Sequence, residues 1–296
     1  MSLAQVTVII PTLCGTKRAM ELQRAIASVR AQQDVVVDTL VVVNGTWFEP
    51  ALLQSVTDTE GVTVLMLASP GISKARLHGR MHVNTPYFLF LDDDDELYPH
   101  ALQALLHTFN TSDDDTGLVV ADAYNDYRNR NYGFLPSAEA IEHDPLDALL
   151  EQNWLIAQSA LFKTARAPAA FFDIDTASNE CTMIAFNLAR ASTKVRVNRQ
   201  VLALIHDQAD SESKTEHFIT QEPLVVRWML AQPVSSGIRS KLHRKLASAY
   251  HNNSAYYLER KMFRKAVVAH IRSMLVPSGK RYALYGRHIA YAIFKR

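Results

Sequence analysis

Cysteine is scarce in this 296-residue chain, and long hydrophobic runs are missing from it. The two cysteines, Cys14 and Cys181, are too few and too far apart for a disulfide framework or a cysteine-ligated metal site. No apolar run reaches the roughly 18 residues that a membrane-spanning helix needs. The first run, Val6–Ile10, is short and lacks the preceding basic residues of a secretory signal. We therefore expect a globular protein in the reducing cytoplasm.

Acidic residues are nearly absent from the last quarter of the chain. Residues 221–296 contain 15 Lys and Arg but 2 Asp and Glu, whereas residues 1–220 contain 16 and 28, so the net charges are +13 and −12. The contrast predicts a basic extension that either packs on the acidic part or binds an anionic partner. It lacks the interleaved aromatic and basic residues typical of nucleic-acid binders, so no nucleic-acid partner is expected.

The first 120 residues alternate between short apolar runs and segments of helical periodicity. The predicted strands are Val6–Ile10, Thr39–Val43, Val62–Leu67, Tyr87–Leu91 and Leu118–Ala121, with helices at Lys17–Gln32, Ile72–Val83 and His100–Phe109. Buried strands joined by helices indicate an α/β fold with a mostly parallel sheet. Pro11 is predicted to end the first strand. In the first helix, the predicted inward positions are Met20, Leu22, Ile26 and Val29.

Four consecutive aspartates, Asp92–Asp95, follow the fourth predicted strand. Like charges this close repel each other, so a cation is expected among them. Ligands bind at the carboxyl ends of parallel strands, where the turns PTLCG and NGT should meet these aspartates. Oxygen ligands of this kind suit Mg²⁺ or Mn²⁺ bridged to a substrate phosphate rather than zinc. The alternative is a solvated acidic loop that caps the helix beginning near Pro99.

Six segments, in order over about residues 6–213, resemble motifs of the family-2 glycosyltransferases of the GT-A fold. VTVIIPTLCG resembles the family's opening strand and its PTYN turn, AIASVRAQQ the next helix, and TLVVVNGT the second strand. SPGISKARLHG resembles the segment that contains ARN, FLFLDDDDEL the DXD motif, and SALFK with FFD a later strand and turn. The resemblance implies a Rossmann-like catalytic domain at 1–220, with a donor half at about 1–122 and an acceptor half at about 123–220. A helical extension at 221–296 would follow it.

The resemblance implies an inverting, metal-dependent hexosyltransferase. It would move a sugar from a UDP or dTDP donor to a hydroxyl of a saccharide or lipid-linked glycan, in cell-surface polysaccharide synthesis. Asp94 would ligate Mn²⁺ or Mg²⁺, which stabilises the leaving diphosphate. Asp92 would contact the ribose, or the metal through water. His206, in LIHDQADSES, matches a late histidine of the family, which implies a metal or diphosphate contact; the alternative is a structural role.

The resemblance also implies a nucleotide-binding set in the turns after the strands and in the third helix. Its members are Pro11, Thr12, Leu13, Asn44, Gly71, Lys74, Arg76, Asp92 and Asp93. Asn44 would pair with the base edge, because an amide both donates and accepts hydrogen bonds. Lys74 and Arg76 would reach the diphosphate, and their alternative is an exposed helix face. Gly71 and Gly79 would let the backbone approach the donor closely.

The catalytic base departs from the family pattern. Inverting transfer needs a carboxylate that takes the proton of the acceptor hydroxyl, and the family supplies it from the Asp of an ED pair. An ungapped alignment places Glu180 on the Glu of that pair and Cys181 on its Asp. A neutral thiol is a poor base, so we predict Glu180, with Asp173 and Asp175 as alternatives. If none of them serves, the chain is a non-catalytic nucleotide-sugar-binding module.

Acceptor contacts are expected from aromatic residues in the second half of the domain. Trp154 and the aromatic residues of 124–134 lie where the family binds acceptors, and aromatic faces suit sugar rings; packing in the core is the alternative. The basic extension lies outside the motif match. It permits peripheral contact with the inner face of a membrane, near a lipid-linked acceptor.

Overall fold

The computed structural model describes residues 4–126, 130–131, 138–174, 176, 179–206 and 214–294. The chain divides into two compact units, Met1–Gln208 and Ala209–Arg296. The strands are β1 Val6–Thr12, β2 Val37–Asn44, β3 Val62–Leu67, β4 Tyr87–Phe90, β5 Glu96–Leu97, β6 Thr116–Asn125, β7 Arg130–Asn131, β8 Ala160–Lys163 and β9 Lys194–Ile205. The helices of the first unit are α1 Ala19–Arg30, α2 Pro50–Thr57, α3 Ile72–Met81, α4 Ala101–Asn110, α5 Ala138–His143, α6 Pro145–Glu151 and α7 Glu180–Arg190.

One sheet runs through the first unit in the order β3-β2-β1-β4-β8-β6-β9-β5, with β7 paired to β6. The strands β3, β2, β1 and β4 are parallel neighbours. The α/β fold predicted from the sequence is confirmed, and its parallel part lies in the donor half. Antiparallel ladders appear in the other half, because β8 runs opposite to both β4 and β6. The carboxyl ends of β1, β2 and β4 therefore lie along one edge of the sheet.

The first strand continues through Pro11 to Thr12, beyond the predicted end at Ile10. The backbone amide of Leu91 donates to the carbonyl of Ile9, so Ile9 faces β4. Pro11, two residues later, faces the same side. Pairing with β4 ends at Ile9, so the missing N–H of Pro11 costs no ladder hydrogen bond. The extra residues carry Thr12 to the edge of the sheet.

Helix α1 packs with one face on the sheet, but the inward set differs by one residue from the prediction. Leu22, Ala25, Ile26 and Val29 are buried, whereas Met20 is 81% exposed. The buried residues follow the i, i+3, i+4, i+7 spacing of a single helix face, and Met20 lies on the opposite side. The helix also begins later than predicted, after a 3₁₀ turn at Thr16–Arg18.

Gly79 lies where α3 crosses the sheet closely, and not beside the crevice. A Cβ atom there would come within 2.4 Å of Ile9 Cγ2 and 3.2 Å of Val42 Cγ2. We expect Gly79→Ala to lower the free energy of unfolding by about 1–3 kcal/mol, because both neighbours are fully buried. Denaturant unfolding measures this. Gly15→Ala is the control, since its Cβ would meet no atom within 4 Å; equal losses in both variants would contradict the packing explanation.

The second unit is helical among its described residues, as the sequence predicted. Its helices are α8 Glu216–Thr220, α9 Glu222–Ala231, α10 Ser236–Glu259, α11 Phe263–Leu275 and α12 Tyr285–Phe294. The helices α10 and α11 pack through small residues such as Ala247, Ala249 and Ala266, and the Ser254 hydroxyl donates to the Ala266 carbonyl at 2.8 Å. Within the described part of the chain, no helix combines the length and apolar character of a membrane span.

Candidate active site

The turns after β1 and β2 are joined by the side chain of Asn44. Its Nδ2 donates to the carbonyl of Thr12 at 2.9 Å, and its Oδ1 accepts from the backbone N–H of Gly71 at 3.0 Å. Asn44 is buried, so both halves of its amide are used within the protein. Gly71 has a φ of +134°, which favours glycine. The predicted base-edge residue thus orders the three turns of the crevice.

The aspartate run alternates in burial, since it continues the extended path of β4. Asp93 and Asp95 are buried, and Asp92 and Asp94 are partly exposed toward the crevice. Burial, with the neighbouring Asp92 charge, raises the pKa of Asp94 to about 6. Burial, followed by Asp92 and Asp94, raises the pKa of Asp95 well above its usual range. The run is therefore a site of concentrated negative charge that favours a cation.

Arginines from two helices supply part of that positive charge. Arg18, at the start of α1, lies 2.8 Å from Asp93 Oδ1 and 3.0 Å from Asp94 Oδ2. Arg24 lies one face further along α1 and pairs with Glu96 at 2.9 Å. The sequence offered no signal for Arg18 beyond a basic residue shortly after the PTLCG turn. Its side chain is 55% exposed, so its pairing with Asp94 is easily replaced.

Arg76 is the buried cation of the site. Its Nη2 donates to Asp92 Oδ1 at 2.6 Å, and its Nη1 donates to Glu180 Oε1. The side chain is 4% exposed. Burial opposes its charge, but the carboxylates of Asp92 and Glu180 hold the pKa of the guanidinium above its usual value. Arg76 thus joins the aspartate run to the first residue of α7, whereas Lys74, two residues earlier, is exposed.

Gln158 and His206 orient the buried end of the run. Gln158 Nε2 donates to Asp92 Oδ2 and to Asp95 Oδ2, each at 2.7 Å, and sequence reasoning missed it because nothing local marks this glutamine. The backbone N–H of His206 donates to Asp95 Oδ1 at 3.0 Å. No carboxylate caps the start of α4, where Gln32 Oε1 instead accepts from Leu102 N–H. The capping alternative for the run is therefore not what this part of the structure shows.

The imidazole of His206 lies between two carboxylates. Its Nε2 is 2.7 Å from Glu96 Oε1, and its Nδ1 is 2.5 Å from Asp126 Oδ2. A histidine that ligates a metal ion offers one nitrogen to the metal and the other to an orienting partner. For His206 to do so, one of these two contacts must be given up. Its role as a ligand stays a prediction.

The candidate bases differ sharply in their surroundings. Glu180 begins α7 and contacts Arg76, which places it at the crevice. Burial, with the charges of Glu180 and Asp92, raises the pKa of the Cys181 thiol to about 12 against the opposing effect of Arg76. A thiol that stays protonated at neutral pH cannot accept a proton from an alcohol. Asp173 is exposed, and Asp175 lies outside the described residues.

The donor atoms of the run fit a divalent ion that the substrate helps to hold. Within the described residues, no three His, Cys, Asp or Glu side chains form a ready-made cation site. The two crevice-facing carboxylates, Asp92 and Asp94, have side chains that are 29% and 19% exposed. Mg²⁺ is commonly bound by one or two carboxylates with substrate phosphates as further ligands. The carboxylates present are sufficient for that mode.

Other predicted contacts are placed less centrally. Leu13 is 59% exposed beside the crevice, and Pro11 and Thr12 are buried at the end of β1. Thr12 Oγ1 donates to Asp93 Oδ2 at 2.6 Å, so both serve the local structure. Trp154 is 1% exposed and its indole N–H donates to the Pro145 carbonyl at 2.9 Å, which makes it a core residue. The aromatic residues Tyr127, Tyr132 and Phe134 lie outside the described residues.

Comparisons with known proteins agree with this geometry. The family model of glycosyl transferase family 2 matches residues 7–189. A search of curated protein sequences gave no significant match. Among solved structures, S. aureus TarS 1–349 in complex with UDP-GlcNAc is similar, with a TM-score of 0.67 and 13% identity over 92% of this chain and 82% of that one.

A second similar structure comes from an archaeon. The mannosyltransferase PcManGT from Pyrobaculum calidifontis, in complex with GDP-Man and Mn²⁺, has a TM-score of 0.58 and 14% identity over 100% of this chain and 82% of that one. At these identities, the similarity shows the shared GT-A fold. The family match extends over more than half of the chain and contains the turns, the aspartate run and Glu180. The chain belongs to the family-2 glycosyltransferases.

Proposed function

We propose that this enzyme is an inverting, divalent-metal-dependent transferase that moves a sugar from a UDP or dTDP donor to a hydroxyl of a saccharide or lipid-linked glycan. The observation that carries the proposal is the charged chain from the aspartate run through Arg76 to Glu180. It puts a cation site for a diphosphate and a carboxylate base on the two sides of one buried arginine. Such a transferase would serve cell-surface polysaccharide synthesis in the cytoplasm.

The donor would lie along the turns that Asn44 joins. The backbone at Gly71 and the exposed side chains of Leu13 and Lys74 are free to contact the nucleotide. Lys74 can reach the diphosphate as a point charge. Arg76 keeps Asp92 and Glu180 oriented, and it can turn part of its fork toward the donor phosphate. Asn44, Thr12 and Asp93 would act by holding the shape of the site.

Asp94 and Asp92 would hold Mn²⁺ or Mg²⁺ with the donor diphosphate. Bound there, the ion would neutralise the charge that develops on the leaving nucleoside diphosphate. Arg18 would release Asp94 to make room, since its exposed pair with that carboxylate is weak. Glu180 would accept the proton of the acceptor hydroxyl as the sugar is transferred. His206 would contact the ion or the diphosphate after giving up Glu96 or Asp126.

Thermal unfolding with nucleotides tests the donor site. UDP, dTDP, GDP and ADP are each added with and without Mn²⁺. One of them at about 100 times its Kd should stabilise the protein by about 2.7 kcal/mol, a shift of several degrees, only when Mn²⁺ is present. Asp94→Asn should abolish this shift, because it removes the charge that binds the ion.

Asp114→Asn is the matched control for that experiment, because it removes an exposed carboxylate of a second aspartate run. It should keep the full nucleotide shift. Equal stabilisation of wild type and Asp94→Asn would show that Asp94 does not hold the ion. Stabilisation without any diphosphate release from a nucleotide sugar would instead favour the non-catalytic binding module.

The basic second unit suits peripheral contact with a membrane near a lipid-linked acceptor. Its charge supports this proposal, since residues 221–296 contain 15 basic and 2 acidic residues. Anionic lipid surfaces attract such segments. Contact would hold the enzyme beside acceptors that cannot leave the bilayer.

A further inference from the structure

One face of α11 carries cations and aliphatic side chains together. The exposed residues of this helix are Arg264, Lys265, Val268, Ile271, Arg272 and Leu275. Their spacing of i, i+1, i+4, i+7, i+8 and i+11 places all six within one stripe of the helix. Ala266, Ala269, His270 and Ser273 lie on the opposite side and are buried in the unit. We call this stripe the outer face of α11.

The aliphatic members of the stripe are unusually open to solvent. Val268 is 48% exposed, Ile271 45% and Leu275 78%. On α9, Leu224 is 56% exposed and lines the same groove as Val268 and Leu275. A contiguous apolar surface of this kind, mixed with cations, is typical of a surface that meets a partner.

A groove of about 740 Å³ runs beside the stripe between α9, α10 and α11. Three arginines, Arg227, Arg264 and Arg272, line it, together with Tyr250 and Tyr257. None of these arginines forms an ion pair with a carboxylate in the described part of the chain. Lys265 differs, since its ammonium pairs with Glu216 at 2.6 Å. The groove therefore combines unneutralised positive charge with an apolar lining.

We propose that the outer face of α11 and this groove bind anionic phospholipids at a bilayer surface. Phosphates would lie against Arg227, Arg264 and Arg272, while Val268 and Leu275 enter the acyl boundary. Arginine suits phosphate because its planar fork donates two parallel hydrogen bonds. A soluble anion would leave the exposed aliphatic residues without a role, and a neutral bilayer would leave the arginines without one. The inference deepens the membrane contact proposed above and does not depend on transferase activity.

Vesicle sedimentation of the full chain tests the proposal. Vesicles of phosphatidylcholine with one-fifth phosphatidylglycerol are compared with pure phosphatidylcholine. Each cation near an anionic surface contributes about fivefold in binding, so Arg227→Gln, Arg264→Gln and Arg272→Gln together should weaken binding by about a hundredfold. The matched control removes the same charge elsewhere in the unit, at Arg244, Lys280 and Arg287, which are exposed and off α11. It should lose much less.

A second variant separates insertion from attraction. Val268→Ser with Leu275→Ser keeps every charge, and it should lose the binding that persists at high salt, where attraction between charges is screened. Equal losses in the two charge variants would overturn the assignment to α11. Tighter binding to a single-stranded oligonucleotide than to the anionic vesicles, or no binding to the vesicles, would overturn the lipid as partner.

The nucleotide shift is measured in the same samples. A chain that keeps vesicle binding but shows no nucleotide-linked stabilisation would contradict the transferase proposal and leave the α11 inference standing. The converse result would contradict only the α11 inference. Because all five substituted side chains are exposed, thermal unfolding of the variants should match wild type, which confirms that any loss arises at the surface.

Discussion

Arg76→Met should lower the free energy of unfolding by about 3–5 kcal/mol, the largest stability effect expected in this protein. The substitution keeps an apolar stem of similar length but removes the only cation that contacts both Asp92 and Glu180 among the described residues. Two carboxylates would then face each other in a partly buried site without a partner. Denaturant unfolding at neutral pH measures the loss.

Two comparisons separate the buried charge from a general effect of removing an arginine. Arg18→Gln removes a pair whose arginine is 55% exposed, and it should cost about 1 kcal/mol or less. Adding Glu180→Gln to Arg76→Met should restore part of the stability, since one uncompensated charge disappears. If Arg76→Met unfolds like Arg18→Gln, the buried bridge contributes no special stability and our account of it is wrong.

Glu180→Gln should reduce sugar transfer by about 10²–10⁴-fold while nucleotide binding persists. The amide retains the shape of the carboxylate and can still contact Arg76, but it cannot take a proton from the acceptor. The rate is measured as release of nucleoside diphosphate from the sugar donor whose base the stability screen identifies. The nucleotide-linked thermal shift in the same variant reports on binding.

Cys181→Ala is the matched control for the base, since its thiol, with a pKa of about 12, is protonated at neutral pH. It should transfer at close to the wild-type rate. Asp173→Asn is a second control, because that carboxylate is exposed. A Glu180→Gln variant that transfers normally would assign the base to another carboxylate. Loss of both transfer and nucleotide binding would show that Glu180 acts through Arg76 and Asp92, as a positioning residue.

Sequence patterns were sufficient for the elements that depend on local chemistry. The buried strands β2, β3 and β4 lie where apolar runs predicted them, because a run of β-branched and aromatic residues suits few other structures. The order of these strands and helices, with the motif match, predicted the GT-A fold that the comparisons show. The meeting of PTLCG, NGT and the aspartates followed from the rule that parallel strands end at one edge.

Local rules failed where a neighbour decided the outcome. Pro11 ends a strand only if its missing N–H is needed, and the register with β4 removes that need. The side of α1 that is buried depended on where the sheet lies, so Met20 was placed wrongly. Gly79 appeared to be a donor contact, but the sheet beneath α3 requires it.

The charge balance of the site is a property of the tertiary structure. The aspartate run announced a cation in the sequence, but its partners come from distant positions: Arg18 lies 75 residues before Asp93, and Gln158 lies 66 residues after Asp92. No local pattern encodes such pairs, because each side chain alone resembles an ordinary surface residue. Packing brought them together, and it turned Arg76 from a predicted phosphate contact into the bridge between Asp92 and Glu180. Composition determined that the second unit is basic, while only the fold of α9, α10 and α11 gathered part of that charge beside exposed aliphatic residues.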